Sequence, residues 1–191
     1  MNKLIIFLFA AVVIFAAPLA AQASSDENSG SSAFIYVFYP QVHFRGENQL
    51  DDGNGLGISI GGMKAEVFGA YLTALRTRHD DGFGQKADFT GLTWDLKVAL
   101  PLFKYIVPYG SAGLGRYVLE RSQTVYRGNR EGSGINGYQV GAGLEIHLSD
   151  YFSINGGYTK RRLEFDSQTP GVDDTKHQIR EFDFGLAFHF H

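Results

Sequence analysis

The sequence predicts an all-β chain folded as an eight-stranded antiparallel up-and-down transmembrane β-barrel. Three observations carry that reading. First, the final segment alternates strictly: Phe184, Leu186, Phe188 and Phe190 interleave with Asp183, Gly185, Ala187 and His189. Alternation of this kind puts one set on each face of a strand, and a face of that many phenylalanines suits lipid rather than water. Second, eight strand-like segments are joined alternately by long polar loops and short turns, as in a barrel with its turns on one side of a membrane and its loops on the other. Third, seven of the eight segments reach the ~9–11 residues that a tilted spanning strand needs, and the second falls one short. A sheet in lipid must close, because an open edge leaves backbone groups unpaired where no water can reach them.

The chain divides into three parts. Lys3 supplies a short positive region, residues 4–17 an apolar run, and Ala21-Gln22-Ala23 an A-x-A cleavage site. Residues 1–23 therefore read as a secretory signal peptide. A retained anchor helix is the competing reading, and the cleavage site argues against it. Residues 24–32 form a Ser-rich polar lead, expected to be mobile. Residues 33–191 are the barrel domain.

The strands are expected at about 33–44, 55–62, 65–78, 87–102, 106–121, 134–148, 151–165 and 177–190. Long connections fall at 45–54 (which carries Asp51-Asp52-Gly53), 79–86 (with Asp80-Asp81-Gly82), 122–133, and 166–176 with Pro170-Gly171. Short turns fall near Met63-Lys64, Phe103-Lys104-Tyr105 and Ser149-Asp150. An even strand number puts both termini on the side of the short turns.

Four strands show their facing. In the fourth, Leu92, Trp94, Leu96, Val98, Leu100 and Leu102 oppose Thr93, Asp95, Lys97 and Ala99. In the sixth, Tyr138, Val140, Ala142, Leu144, Ile146 and Leu148 oppose Gln139, Gly141, Gly143, Glu145 and His147. In the seventh, Phe152, Ile154 and Tyr158 oppose Ser153, Asn155, Gly157, Thr159 and Arg161. The eighth sets its Phe/Leu face against Glu181, Asp183, Gly185, Ala187 and His189. The first and third strands are apolar on both faces, so their facing stays open. A secreted soluble barrel of lipocalin type would need the opposite arrangement, apolar inside and polar outside. Here the charges share a face with glycines, which suits the crowded interior of a small barrel.

Composition excludes several classes. Without Lys3, 16 Lys+Arg stand against 20 Asp+Glu, a charge of −4, which is no nucleic-acid-binding balance. There is no cysteine, hence no disulfide or thiolate chemistry. Beyond the signal there is no apolar run of ~18 residues that would make a transmembrane helix.

The terminal string resembles the C-terminal assembly signal of bacterial outer-membrane barrels, polar-x-Gly-x-x-aromatic-x-aromatic, with Asp183, Gly185, Phe188 and Phe190 in those places. The family usually ends on the aromatic residue, whereas His191 follows here. Over its mature length the chain resembles the small OmpA/OmpX-type barrels. That resemblance implies a Gram-negative outer-membrane protein, inserted by the barrel-assembly machinery, with both termini in the periplasm. Family members serve in envelope integrity, adhesion or host-factor binding through their loops. The expected role is therefore structural or surface-binding and non-enzymatic, in a monomer without cofactor or metal. A narrow pore for small or apolar solutes and a lipid A-modifying enzyme are the alternatives.

Four groups of side chains are candidates for chemistry. Asp95, Lys97, Glu145, Arg161, Glu181 and Asp183 share the inward face, with His147 and His189 lower down. Charges in a narrow lumen are costly unless paired, so a salt-bridge network that plugs the barrel is favoured over an ion path. His147-x-Ser149 resembles the His-x-Ser pair of outer-membrane lipid A deacylases, but it falls at a turn, and Glu164 lies at the far end of the seventh strand. The acidic pairs Asp51-Asp52, Asp80-Asp81 and Asp173-Asp174 lack EF-hand spacing and read as solvated loop charge. His43 and His177 are two histidines without further ligands. Finally, the outward faces run into cations at their loop ends: Arg116, Lys160, Arg162 and Arg180, with Arg76 and Arg78 on the less certain third strand. Near an interface a cation costs only ~0–1 kcal/mol and can fork onto phosphate oxygens. The belt is therefore expected to contact lipopolysaccharide, with a merely solvated rim as the alternative.

Overall fold

The computed structural model describes residues 31–45, 51–80, 86–103, 105–121, 135–165 and 175–190. The expected signal peptide, residues 24–30, Asp81, Pro170-Gly171, Asp173-Asp174 and His191 lie outside the described residues. Eight strands follow in order: β1 Ser31–Arg45, β2 Gly53–Lys64, β3 Phe68–Asp80, β4 Lys86–Ala99, β5 Ile106–Arg121, β6 Ile135–Ser149, β7 Phe152–Phe165 and β8 Thr175–Phe190. Every neighbour pairs antiparallel, and β8 returns onto β1 to close the barrel, from Ala33 opposite Phe190 to Arg45 opposite Gln178. The strand ends that lead into the long connections gather at one end, called the loop end below. Short turns and both ends of the described chain gather at the other, the turn end.

Strand boundaries shift by up to two residues from expectation, and two of them by three. The first tight turn sits at Ala65 and Glu66, with φ of 52° and 58°, and not at Met63-Lys64. Lys64 and Val67 close it, Val67 N donating to Lys64 O at 3.2 Å. Positive φ at both central residues gives the twist that a two-residue hairpin needs, and Ala-Glu carries none of the Asn-Gly chemistry that would announce it. The fourth strand stops at Ala99 instead of 102. Pro101 has no N–H to continue a ladder, and Leu100 N donates to Pro108 O at 2.8 Å as the chain turns.

Outside, the barrel is a belt of exposed apolar side chains, among them Leu92, Trp94, Leu96, Val140, Leu144, Phe182, Phe184 and Phe188. The first and third strands resolve as well. Phe34, Tyr36, Phe38 and Val42 point inward from β1 while Val37 and Tyr39 are exposed, and Thr73, Leu75, Thr77 and His79 are buried from β3.

The interior differs from a uniformly polar lumen. Its loop-end half is mostly apolar: Val42, Leu75, Ala87, Phe89, Tyr117, Leu119, Leu163 and Ile179 are buried in one cluster, with Phe44 packed against it and a buried Thr77–His79 pair at 2.8 Å beside it. Phe44 meets Phe89 edge-on at 5.4 Å, and Phe89 stacks on Tyr117 at 5.5 Å. Most of this layer comes from β1 and β3, where alternation does not name the inner face, or from β5 and the loop ends of β7 and β8, where the inward positions are apolar as well. Ionisable side chains fill much of the lumen from its middle toward the turn end.

Candidate functional site

The middle of the lumen is organised around Arg161 on β7, whose side chain is 2% exposed. Arg161 forks onto Glu181 of β8: Nη2 donates to Oε1 at 2.9 Å and Nη1 to Oε2. Its Nε donates to Gln139 Oε1 at 2.6 Å, and Tyr117 OH donates to the same oxygen at 2.8 Å. The other end of Gln139 donates to Asp95 Oδ1 at 2.5 Å, while Thr93 Oγ1 donates to Asp95 Oδ2 at 2.6 Å. One chain of partners thus crosses from β8 to β4. A bidentate guanidinium and a shared amide satisfy charges that would otherwise be costly in so buried a place.

Asp183 stands apart and accepts from Tyr36 OH on β1 at 2.6 Å. Small residues on adjoining strands make the room. A Cβ at Gly113 would run into the Asp95 carboxylate, and one at Gly157 would lie 2.7 Å from Asp183 Oδ2. Below this layer lies a cavity of about 50 Å³ whose walls include Tyr36, Tyr71, Tyr109, Lys97, Asn155 and Asp183. A polar space of that size has room for water molecules and for no sizeable solute.

Toward the turn end a second group forms. Lys97 Nζ donates to Glu145 Oε2 at 2.7 Å and lies 4.5 Å from the centre of the Tyr109 ring. Ser153 Oγ donates to Glu145 Oε1 at 2.9 Å and stands 2.8 Å from His189 Nε2. The same His189 nitrogen lies 2.9 Å from Glu145 Oε1, and His147 Nε2 lies 3.7 Å from that oxygen. The six inward charges therefore sort into two ion pairs, Lys97–Glu145 and Arg161–Glu181, with Asp95 and Asp183 held by hydroxyl and amide donors.

No serine hydrolase centre assembles from the described residues. Ser149 lies exposed at a turn, its Oγ accepting from Tyr151 N at 3.3 Å, and the backbone of Glu164 pairs with Asn136 and Lys176 at the loop end. Ser153 is buried, and its acid and its histidine meet at one imidazole nitrogen. A working serine needs the acid on the other nitrogen, behind the base.

The outward cations differ from one another. Arg76 Nη2 and Arg78 Nε both reach Asp88, at 2.6 and 3.3 Å. Among the described residues, Arg116, Lys160, Arg162 and Arg180 have no acidic partner. Lys160 is directly opposite Arg180 on β8, and Arg180 is opposite His43 on β1. Arg180 Nε is buried without a hydrogen-bond partner. His43 pairs with Asp52 at 2.6 Å, and the His177 side chain lies outside the described residues. In the terminal signal, Phe188 and Phe190 face outward, 47% and 50% exposed. Gly185 abuts β1, where a Cβ would meet the Val37 carbonyl and come within 2.6 Å of Phe38 Cα.

Sequence reasoning missed the lumen phenols Tyr36, Tyr71, Tyr109 and Tyr117, and the roles of Thr93 and Ser153. Tyr117 shares parity with Tyr109 and Ser111 on β5, so the fifth strand carried an unused signal.

A closed eight-stranded sheet with an apolar outside and a filled inside defines a small membrane barrel. Residues 7–190 match the family described as outer membrane protein beta-barrel domain, and the chain belongs to that family. Its place is the bacterial outer membrane. Solved structures that share the fold at low identity include the following three. OprH of Pseudomonas aeruginosa is 21% identical with a TM-score of 0.57, covering 83% of this chain and 99% of that one. Ail of Yersinia pestis, solved with the heparin analogue sucrose octasulfate, is 19% identical with a TM-score of 0.55, covering 84% and 97%. OprG of Pseudomonas aeruginosa is 15% identical with a TM-score of 0.55, covering 85% and 97%. Comparison with curated protein sequences finds no significant match.

Proposed function

We propose that this protein is a non-enzymatic outer-membrane barrel whose plugged lumen serves structure and whose loop end meets the anionic outer surface of the envelope. In this reading the termini are periplasmic, the long loops are extracellular, and the barrel is a monomer inserted by the barrel-assembly machinery through its terminal strand. Arg116, Lys160, Arg162 and Arg180 contact lipopolysaccharide phosphates. The observation that carries the reading is the set of outward cations without an acidic partner among the described residues, with Lys160 directly opposite Arg180 and Arg180 opposite His43. Two neighbouring cations without a carboxylate between them favour an anionic phosphate oxygen. The contrast with Arg76 and Arg78, already held by Asp88, supports assigning the contact to the β5–β7–β8 side. That Ail was solved with a polysulfated ligand agrees with polyanion contact as a use of this fold. Loop-bound partners would add to this role.

The test is to replace the four cations with Gln and measure lipopolysaccharide co-purified per folded barrel. A clear drop is expected; an unchanged ratio would leave the belt as solvated charge. Planar-bilayer recordings separate the pore reading, since a lumen filled as described is expected to give no discrete conductance steps.

A further inference from the structure

At the turn-end mouth, β6 and β8 bring Glu145, His147 and His189 together. Glu145 and His147 are two residues apart and so share the inward face of β6. His189 arrives from β8, two strands away, and the gap between is bridged over Ser153 on β7, a side chain small enough to let the two outer strands' groups meet. One carboxylate oxygen and one nitrogen from each ring all lie within 4.8 Å of one another. Two of the three separations are shorter, 2.9 and 3.7 Å. Zinc bonds of ~2.0–2.2 Å to N and O place tetrahedral ligand atoms roughly 3.3 Å apart. The remaining closure falls to His147, whose side chain is 30% exposed at the mouth and has room to swing, while Glu145 and His189 are held.

We propose that Glu145 Oε1, His147 Nε2 and His189 Nε2 form a binding site for a borderline divalent cation of the zinc type at the periplasmic mouth. Two imidazoles and one carboxylate suit zinc or its neighbours in the transition series better than magnesium or calcium, which take oxygen ligands. Three protein ligands leave a fourth position for water, on the exposed side of His147. In the loaded state the His189 proton resides on Nδ1, and Ser153 keeps its hydrogen bond to the carboxylate. Lys97 holds Glu145 Oε2 at 2.7 Å and orients the ligand from behind. Its charge also weakens the attraction for a second cation. The ion would tie β6 to β8 across β7, beside the seam where β8 closes onto β1 and where Phe34 pairs with His189.

The experiment uses the untagged mature chain, folded in detergent micelles and stripped with chelator. Co²⁺ is titrated and followed by its ligand-field absorption, with Zn²⁺ as competitor and thermal unfolding as a second readout. One equivalent of saturable Co²⁺ binding, displaced by Zn²⁺, is expected, together with a Zn²⁺-dependent rise in unfolding temperature. His147→Ala should weaken binding by at least about tenfold, the scale that even outer-shell partners carry, and abolish the rise. His147→Asn, which keeps a polar group at the mouth, should do the same. Both variants are first shown folded by heat-modifiable gel mobility. Lack of saturable binding in the wild type, or equal affinity in a folded His147 variant, would overturn the proposal.

Discussion

The two halves of the lumen solve one packing problem in different ways. At the loop end, Val42, Phe44, Leu75, Phe89, Leu119, Leu163 and Ile179 fill the bore with apolar volume, and their contacts do not depend on a particular partner atom. From the middle toward the turn end the same bore is filled by Arg161, Glu181, Asp95, Gln139, Lys97 and Glu145, each useful only with its partners in place. Tyr117 belongs to both, its ring stacked on Phe89 and its hydroxyl on Gln139. The apolar half should tolerate changes of shape that keep volume. The polar half should tolerate paired changes and resist single ones.

The largest expected effect follows from breaking a pair. Arg161→Met strands a buried Glu181 and should cost about 3–5 kcal/mol of unfolding free energy, measured by denaturant titration of the refolded barrel. The double replacement Arg161→Met with Glu181→Leu should recover most of that loss. A double variant as unstable as the single would remove the distinction between the halves. In the apolar half, Leu163→Ala should cost about 2–5 kcal/mol through lost contacts and a cavity. Leu163→Met should cost under about 1.5 kcal/mol, and a larger loss would mean that this half too depends on specific geometry.

Lys97→Met should fall lower, about 1.5–3 kcal/mol, because Ser153 and His189 still meet Glu145. An unchanged value would contradict the burial of the pair. Tyr117→Phe is the mildest, roughly 0.5–1.5 kcal/mol: it removes a hydroxyl that joins the layers, while Gln139 Oε1 keeps Arg161. Outside this series, Phe190→Ser and Gly185→Val should lower outer-membrane levels and raise periplasmic proteolysis. Gly185 faces β1 backbone that has no room for a Cβ. Wild-type levels would separate the terminal strand from assembly.

The sequence by itself determined the strand number, the alternation of loops and turns, the lipid-facing parity of four strands and the set of inward charges. All of these are local properties, because a strand repeats every two residues and its sidedness is written in its own composition. It did not determine which charge meets which. Lys97 and Glu145 lie on β4 and β6, Arg161 and Glu181 on β7 and β8, and Glu145 and His189 meet across an intervening strand. These pairings follow from register and from the tilt of strands around a closed barrel. The apolar half of the lumen was hidden for the same reason. Where both faces of β1 and β3 are apolar, alternation is silent, and only closure of the sheet, β8 onto β1, decides which side becomes the inside.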